Sequence, residues 1–312
     1  MFDIIRYTPD RHDEWNLFVA QSKNGTFLLD RRYMDYHQDR FEDYSLMFYL
    51  DGKLYALLPA NSEDTVLWSH RGLTYGGLIT DEHVTAARTR QLFIELNDFL
   101  KQQGFLRVIY KSVPHIFHRL PSEEDLYVLT SVCNARIIDR SISSTVVLSQ
   151  PVKWHRDRKY GINKAFRHGV RVSESGDWQG FWRVLEFNLK HKYDARPVHT
   201  FQEITLLHSR FPDHIRLFTA TKDGQVLGGT VIYVTSEVIH TQYISAGMEG
   251  KQLRVVDALF DYLLHDCEWN AHYFDFGTSN EDDGRVLVEP LIYQKEGFGG
   301  RGICYDWYEW RL

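Results

Sequence analysis

Two halves of the sequence repeat one order of secondary-structure signals. In the first half, two apolar runs flank Asp51-Gly52, a residue pair that strongly indicates a two-residue β-hairpin. A strand pattern over residues 68–79 with glycines at 76 and 77, an amphipathic helical pattern and another strand pattern follow. The second half repeats this order about 170 residues later, with Asp223-Gly224 in the hairpin and Gly247 ending the strand. The repeat predicts an α/β protein with two domains of the same kind, residues 1–150 and 151–312, each a mixed, mostly antiparallel sheet flanked by helices.

Composition places the chain among globular proteins. It has 312 residues, 43% of them hydrophobic and 25% charged, which is enough for two domains. No apolar run approaches the roughly 18 residues of a membrane span, and the first residues do not resemble a signal peptide. Three widely separated cysteines indicate reduced thiols, and the net charge of −6 disfavours a general nucleic-acid binder. We therefore expect a cytoplasmic protein, and nothing in the sequence indicates its oligomeric state.

The stretch over residues 271–300 carries the most specific pattern. An aromatic strand pattern over 273–276 is followed by a polar loop over 278–284 that contains three acids. Pro290 suits the first turn of a short helix over 291–296, because a missing N–H is tolerated there. Gly297 ends that helix, and a last strand pattern covers 303–310.

This order, with Tyr293-Gln-Lys-Glu-Gly297-Phe298 inside it, resembles the closing segment of the GNAT acyltransferase superfamily. In that superfamily a strand and a short Tyr-x-x-x-Gly-Phe helix flank the acyl-CoA. Residues 294–299 also resemble the lysine-plus-Phe-Gly element of the Fem cell-wall aminoacyltransferases, which are built from paired GNAT domains. The internal repeat strengthens this resemblance, which implies two GNAT-like domains in tandem and an active site in the second.

The resemblance also implies catalytic roles. Tyr293 takes the position that protonates the leaving thiolate, and Lys295 the position that meets the developing oxyanion. Glu296 could orient Lys295 or accept a proton from the amine through water. The alternatives are an aromatic packing residue at 293 and a surface lysine at 295. Helical geometry separates these two side chains by about 200°, so both cannot face the same wall.

A donor site is expected around the glycine-ended strand of the second half. In GNAT folds two strands part there, and freed backbone N–H groups hold the acyl carbonyl and pantetheine. The usual phosphate loop is represented only by Gly247-x-x-Gly250. This departure weakens the expectation of CoA, and a plain β-to-α turn is the alternative. The predicted donor-binding residues are Ser245, Ala246, Gly247, Gly250, Lys251, Arg254 and Asn280.

An acceptor site is expected from three places. A polar loop after the helical pattern over 182–192 begins at Tyr193 and resembles an acceptor-binding loop of Fem proteins. Alternation along the strand over 240–246 puts two polar side chains on one face. The first domain contributes residues 75–77. The predicted acceptor-binding residues are Tyr75, Gly76, Gly77, Arg196, His199, His240, Gln242 and Tyr243.

A basic segment separates the two halves. Residues 153–171 contain seven Lys or Arg and one acid, Asp157, in a helical pattern that ends at Gly169. The segment resembles the Arg-x-x-Ile-x-Lys-Ala helix that opens the second domain of Fem proteins. It is either a solvated face or a surface that meets phosphates of a cofactor, a nucleotide-linked sugar or tRNA.

The sequence does not support other enzyme classes. Histidine spacing indicates no metal site, no Gly-x-Ser-x-Gly motif occurs, and Asp275-Phe276-Gly277 stands without the other kinase motifs. The sequence therefore predicts an N-acyltransferase that moves an acyl group, acetyl from acetyl-CoA, to an amine. The acceptor would be an amino sugar or a cell-envelope precursor, as a small molecule or a nucleotide-linked sugar or peptide. The alternatives are an aminoacyl-tRNA donor with a peptidoglycan precursor, and a GNAT-fold binding protein without catalysis.

Overall fold

The chain folds into two compact units. The structure, a computed structural model, describes residues 1–312 apart from the side chains of Lys192 and Tyr193. One unit contains Met1–Ile142, Asn280–Val286 and Cys304–Leu312, and the other contains Ser143–Ser279 and Leu287–Ile303. The units thus differ from the predicted ranges 1–150 and 151–312, because two late segments of the chain belong to the first unit.

Seventeen strands and ten α-helices are found in the described residues. The strands are β1 (Asp3–Arg6), β2 (Glu42–Asp43), β3 (Leu46–Leu50), β4 (Lys53–Leu58), β5 (Asn61–Glu63), β6 (Val66–Trp68), β7 (Ile79–Thr80), β8 (Arg107–Lys111), β9 (Arg136–Val147), β10 (Arg171–Glu174), β11 (Ile215–Lys222), β12 (Gln225–Val234), β13 (Val238–Ala246), β14 (Tyr273–Thr278), β15 (Asn280–Glu281), β16 (Val286–Leu287) and β17 (Arg301–Arg311). The helices are α1 (His12–Gln21), α2 (Arg31–Met34), α3 (Ala86–Gln102), α4 (Glu124–Ser131), α5 (Arg156–Arg167), α6 (Trp178–Tyr193), α7 (Phe201–Arg210), α8 (Met248–Leu253), α9 (Val255–Asp261) and α10 (Glu289–Gly297).

The first unit is built on two sheets. One has the strand order β1-β3-β4-β7, and the other runs through β17, β8, β6, β5 and β2. The predicted hairpin at Asp51-Gly52 joins β3 to β4, with both residues at positive φ. Helix α3 buries Leu92, Phe93 and Leu96 in the core of this unit, so the predicted apolar face of the helix is confirmed.

One predicted strand of the first unit is wrong. The sequence predicts a single strand over residues 68–79. In the structure, residues 66–68 and 79–80 lie in sheets as β6 and β7, and residues 69–78 form a loop between them. The loop bonds to strand β8, since the amide of Ser69 donates to the carbonyl of Ile109 and the amide of Gly76 to that of Lys111. Backbone at positive φ at His70 and Gly77 keeps the loop from continuing as a strand.

The second unit has one mixed sheet. Its strand order is β10-β11-β12-β13-β14-β9, antiparallel except for the parallel pair of β13 and β14. Helix α6 packs against β12 and β13, while α9 packs against α5 and against strands β11, β12 and β13. Pro290 lies in the first turn of α10, and Gly297 is the last residue of that helix. These elements surround the carboxyl end of β13.

Candidate active site

Strands β13 and β14 are paired over only three residues. The parallel ladder joins Val238, Ile239 and His240 to residues 273–275, although β13 continues to Ala246 and β14 to Thr278. A β-bulge leaves Gln242 as the extra residue of β13 opposite β12. The two strands therefore part beyond His240, as the resemblance to GNAT folds implies. The bulge also interrupts the alternation from which a shared face for His240 and Gln242 was predicted.

Lys295 fills the gap where the strands part. Its side chain is 5% exposed, and Nζ donates hydrogen bonds to the carbonyl oxygens of Gly277 at 2.8 Å and Thr278 at 2.7 Å. Burial lowers the pKa of Lys295 to about 8, while the charge of Asp275 acts in the opposite direction. Because an ammonium group has three N–H donors, one can still serve a ligand.

Of the other two predicted catalytic residues on α10, Tyr293 points away from Lys295. Tyr293 is 56% exposed, and its ring lies 5.4 Å from the ring of His155, centroid to centroid. Glu296 is half-buried. Tyr293 and Lys295 thus lie on different sides of the helix, as their spacing predicts.

A cavity of about 270 Å³ adjoins Lys295 in the second unit. Asn188 of α6 organises its polar wall, since Nδ2 donates to Oγ of Ser245 and to the carbonyl of Ala246, both at 2.7 Å. Lys251 Nζ donates to Oδ1 of Asn188 at 3.1 Å. The described lining residues are Leu185, Asn188, Leu189, Ile244, Ser245, Ala246, Lys251, Val256, Phe260, Leu291, Gln294, Lys295 and Phe298.

Three of the predicted donor-binding residues, Ser245, Ala246 and Lys251, therefore share a cavity with Lys295. The other four have structural partners and are not among the cavity's described lining residues. The amide of Gly247 donates to the carbonyl of Leu227, and a Cβ at Gly250 would collide with the same carbonyl. Asn280 bonds through Oδ1 to the amide of Ile142 and through Nδ2 to the carbonyl of Gly284.

Arg254 belongs to a charged cluster beneath the cavity. It adopts positive φ between α8 and α9, and Nε pairs with Asp257 at 2.5 Å. The same carboxylate, 1% exposed, pairs with Arg158 at 2.8 Å. The guanidinium of Arg158 lies 4.9 Å from the ring centre of Phe298, and its Nε would be 2.8 Å from a Cβ at Gly297. The Gly-Phe pair of the sequence motif thus accommodates a buried arginine.

Asn188 and Arg158 were not predicted as site residues. Arg158 was counted as one cation of the basic segment. It differs from the exposed cations beside it because it pairs with the buried Asp257, which lies far away in the sequence. Asn188 lies on a helix that the sequence indicates only by its apolar positions. Neither carries a local sequence signal for its role.

A second, larger cavity of about 700 Å³ lies on another side of α6. The predicted acceptor residues Arg196 and His199 line it, and the side chain of Tyr193, where the predicted loop begins, lies outside the described residues. The hydroxyl of Tyr243 contacts Nδ1 of His199 at 2.7 Å and accepts its backbone N–H at 3.1 Å. The remaining described lining residues are Gln179, Trp182, Arg183, Glu186, Lys190, Asp194, Ala195, Pro197, Thr200, Phe201 and Gln202.

His240 is tied to a buried carboxylate. Its Nδ1 lies 2.7 Å from Oδ2 of Asp275, and the hydroxyls of Ser143 and Thr145 donate to the other oxygen. Burial alone would raise the pKa of Asp275, but the hydrogen bond and charge of His240 and the two hydroxyls leave the pKa below its ordinary value. This carboxylate holds the histidine ring at the point where β13 and β14 part.

In the first unit, the region that corresponds to the gap between β13 and β14 is filled by residues 69–78. Strands β6 and β8 also form a parallel ladder of three pairs, but residues 69–78 bond alongside β8. Tyr75 is 2% exposed with its hydroxyl 3.0 Å from that of Thr26, and a Cβ at Gly76 would collide with a carbonyl of the loop. Lys111 Nζ donates to the carbonyl of Leu73 at 2.6 Å. The predicted acceptor residues Tyr75, Gly76 and Gly77 thus lie in the interior of this unit.

Comparison with known proteins agrees with this geometry. Residues 154–283 match the family model described as Acetyltransferase (GNAT) domain. Among solved structures, FemX has a TM-score of 0.69 at 10% identity, covering 99% of this chain and 97% of FemX. L-PGS from Bacillus licheniformis has a TM-score of 0.62 at 13% identity, covering 98% and 92%.

A tandem GNAT protein from the clavulanic acid biosynthesis pathway has a TM-score of 0.51 at 10% identity, covering 100% of this chain and 98% of that protein. The chain has a Fem-like tandem GNAT fold. The predicted fold class and family resemblance are confirmed, and the match of residues 154–283 to an acetyltransferase domain supports the predicted acyltransferase. Among curated protein sequences, none is significantly similar to it.

Two features are absent from the described residues. Within them, no helix is both long and apolar enough to cross a bilayer. The same residues hold no group of three or more His, Cys, Asp or Glu arranged to bind a metal ion.

Proposed function

We propose that the chain transfers an acyl group, acetyl in the simplest case, from an acyl-CoA thioester to an amine. The acceptor is an amino sugar or a cell-envelope precursor. The observation that carries the proposal is Lys295, a buried cation that lines a cavity at the carboxyl end of β13 and has one N–H donor left. The three free cysteines support a cytoplasmic location.

Lys295 acts on the charge that develops during transfer. Attack by the amine converts the thioester carbonyl into a tetrahedral oxyanion; the C–S bond then breaks, the nitrogen loses a proton to solvent, and the thiolate takes one up from solvent to leave as the thiol. An ammonium group held by two backbone carbonyls needs no reorganisation when that oxyanion forms, which is how preorganised donors lower a barrier. The thioester lies beside Ser245 and Ala246, with Lys251 near the part of the donor that leads out of the cavity.

The larger cavity is the proposed acceptor site. Arg196 and His199 line it, and Tyr243 links it to β13 because its hydroxyl holds His199. Strand β13 thus contacts a lining residue of one cavity through Tyr243, and the following three residues line the other. An acceptor longer than a single sugar would reach from one side of α6 toward the thioester.

The test is Lys295→Met, which keeps the length and apolar stem of the side chain but removes its charge. Turnover should fall by about 10²–10³, with donor affinity nearly unchanged, because the lost interaction belongs to the transition state. Tyr293→Phe, two residues away and largely exposed, is the matched control and also tests the predicted proton donor. Full turnover in Lys295→Met would contradict the mechanism, and a loss of turnover in Tyr293→Phe at unchanged affinity would give the phenol a role.

One observation favours a second candidate, an aminoacyl-tRNA donor with a peptidoglycan precursor as acceptor. The exposed residues of α5 include Arg156, Lys159 and Arg167, which share an arc of about 80° around the helix. If this face binds RNA, affinity for tRNA should fall steeply with salt, and Lys159→Gln should reduce the salt slope by about one charge. Salt-independent affinity for tRNA would remove this candidate.

A further inference from the structure

Arg158 on α5 is a buried cation that the proposed mechanism does not use. It is 6% exposed, and Nη1 donates to Oδ1 of Asp257 at 2.8 Å. Asp257 does not depend on it alone, because Arg254 pairs with the same carboxylate. The Nε atom of Arg158 is buried and has no hydrogen-bond partner among the described residues. A buried ion pair contributes little net stability, and an unsatisfied N–H subtracts from it, so stability alone does not explain this arginine.

The other contacts of Arg158 are with the turn that follows Lys295. The guanidinium lies 4.9 Å from the ring centre of Phe298, and a Cβ at Gly297 would lie 2.8 Å from Nε. The carbonyl of Lys295 accepts from the amide of Phe298 at 3.1 Å. The carbonyl of Gly297 accepts from the amide of His155, just before α5, at 3.0 Å. The turn therefore fixes the backbone of Lys295, and α5 packs against this turn through its arginine.

Phe298 also connects the turn to β14, the strand whose carbonyls hold the ammonium group. Its ring lies 5.9 Å from that of Phe276, at an interplanar angle of 27°, and 5.0 Å from that of Phe260 on α9. The residue after Phe276 is Gly277, whose carbonyl accepts from Lys295 Nζ at 2.8 Å. Phe298 thus contacts both the guanidinium and the strand that holds the ammonium group. Its position sets how far the side chain of Lys295 must reach.

We propose that Arg158 is a positioning residue for Lys295. Its guanidinium fixes the ring of Phe298 and the turn after α10, and this keeps the ammonium group within reach of the carbonyls of Gly277 and Thr278. The inference rests on the proposed role of Lys295 and deepens it by assigning control of that lysine to a residue outside the described lining of the cavity.

The titration of Lys295 reports this position without any substrate. Burial lowers the pKa of Lys295 to about 8, and the charge of Asp275 opposes the shift. Lysine labelled with carbon-13 at Cε gives an NMR signal that follows the titration, and the signal missing from Lys295→Met identifies it. Arg158→Met should raise the midpoint by at least about one pH unit, because an ammonium group that leaves its carbonyls becomes better hydrated. An unchanged midpoint would overturn the inference.

Two further variants separate position from charge and from general destabilisation. Arg158→Lys keeps the charge but loses the planar group that contacts Phe298, so its midpoint should rise as well. A rise in Arg158→Met alone would come from the lost charge and would contradict the proposal. Arg216→Met is the matched control: this arginine of the same unit pairs with Glu174 at 2.6 Å and lies 5.3 Å from the ring centre of Phe218. Its loss should leave the midpoint of Lys295 unchanged, with folding verified by circular dichroism.

Turnover of acetyl-CoA with glucosamine gives an independent readout. Arg158→Met should lower kcat about tenfold in the unmodified chain but less than about twofold in Lys295→Met, because an effect that passes through Lys295 disappears with it. Equal losses in both backgrounds would show a merely structural role and would overturn the inference. If the unmodified chain does not turn over this pair, the proposed function fails for these substrates, while the titration of Lys295 still decides the role of Arg158.

Discussion

At the scale of single residues, Lys295 is a buried cation whose ammonium group is held by the backbone. Two carbonyl oxygens fix the position of its ammonium group, and the side chain is buried. Burial also has a cost, since it lowers the pKa of Lys295 to about 8. The group is therefore charged at neutral pH but close to its titration range.

This titration predicts a pH dependence for transfer. The pKa is lowered, so the ammonium form is lost as pH rises through about 8. The ratio of wild-type kcat/KM to that of Lys295→Met should be constant below pH 7 and fall above pH 8 by at least about tenfold. Deprotonation of the acceptor amine affects both enzymes equally and cancels in the ratio. A ratio that rises above pH 8 would identify Lys295 as a base instead of an electrostatic donor.

Part of the site could be predicted at this scale. Lys295 was predicted from the resemblance to the Fem proteins, and Ser245 and Ala246 from their place at the end of a strand where GNAT folds bind the donor. Asn188 has no such marker, because its role depends on the packing of α6 across β13. Arg254 carries the charge expected of a phosphate ligand, but a buried carboxylate 2.5 Å away engages it.

At the scale of elements, the short helix α8 depends on one glycine. Gly250 is buried, and its missing side chain lets the helix approach the carbonyl of Leu227 in β12. The next residue, Lys251, reaches Asn188 in the cavity wall. The position of the helix and the position of that cation are thus set by the same close contact.

Gly250→Ala should move α8 away from β12. Although alanine favours helix formation, the collision with a backbone carbonyl should reduce the free energy of unfolding by about 1–3 kcal/mol and weaken donor binding. Gly176→Ala is the matched control, since a Cβ there meets nothing within 4 Å. Urea denaturation measures the first effect and calorimetry the second. A variant at position 250 that is as stable as the control would contradict the packing role.

Elements were predicted well where periodicity is strong and poorly where a loop replaces a strand. The hairpins at Asp51-Gly52 and Asp223-Gly224 join adjacent strands, because their turn residues adopt the positive φ that two-residue turns need. Residues 69–78 look like a strand by composition. Their backbone hydrogen bonds go to β8 from a loop conformation, and no local pattern reveals this.

At the scale of the whole molecule, the first unit is assembled from three separated segments. Strand β17 pairs with β8 through residues 307–311, and Trp310 belongs to the hydrophobic core of this unit. Its indole Nε1 donates to Oδ1 of Asn97 at 3.0 Å. Residues late in the chain therefore complete a core that begins near residue 2.

Trp310→Ala should destabilise this unit strongly. The side chain is 3% exposed, and truncating such a residue leaves a cavity and removes the donor to Oδ1 of Asn97, at a loss of about 3–5 kcal/mol in the free energy of unfolding. Trp307→Ala is the matched control on the same strand, because residue 307 is half-buried and faces the other way. Chemical denaturation followed by circular dichroism compares them. Equal losses would show that Trp310 has no special place in the core.

The return of the chain into its first unit also governs the order of folding during synthesis. Residues 304–312 leave the ribosome only after all of residues 143–303, so β8 waits for its neighbour while the second unit is already being made. Domains that are continuous in sequence fold one after another as they emerge. Here the unit that is translated first is finished last, and until then the growing chain presents an open strand edge that a chaperone would recognise.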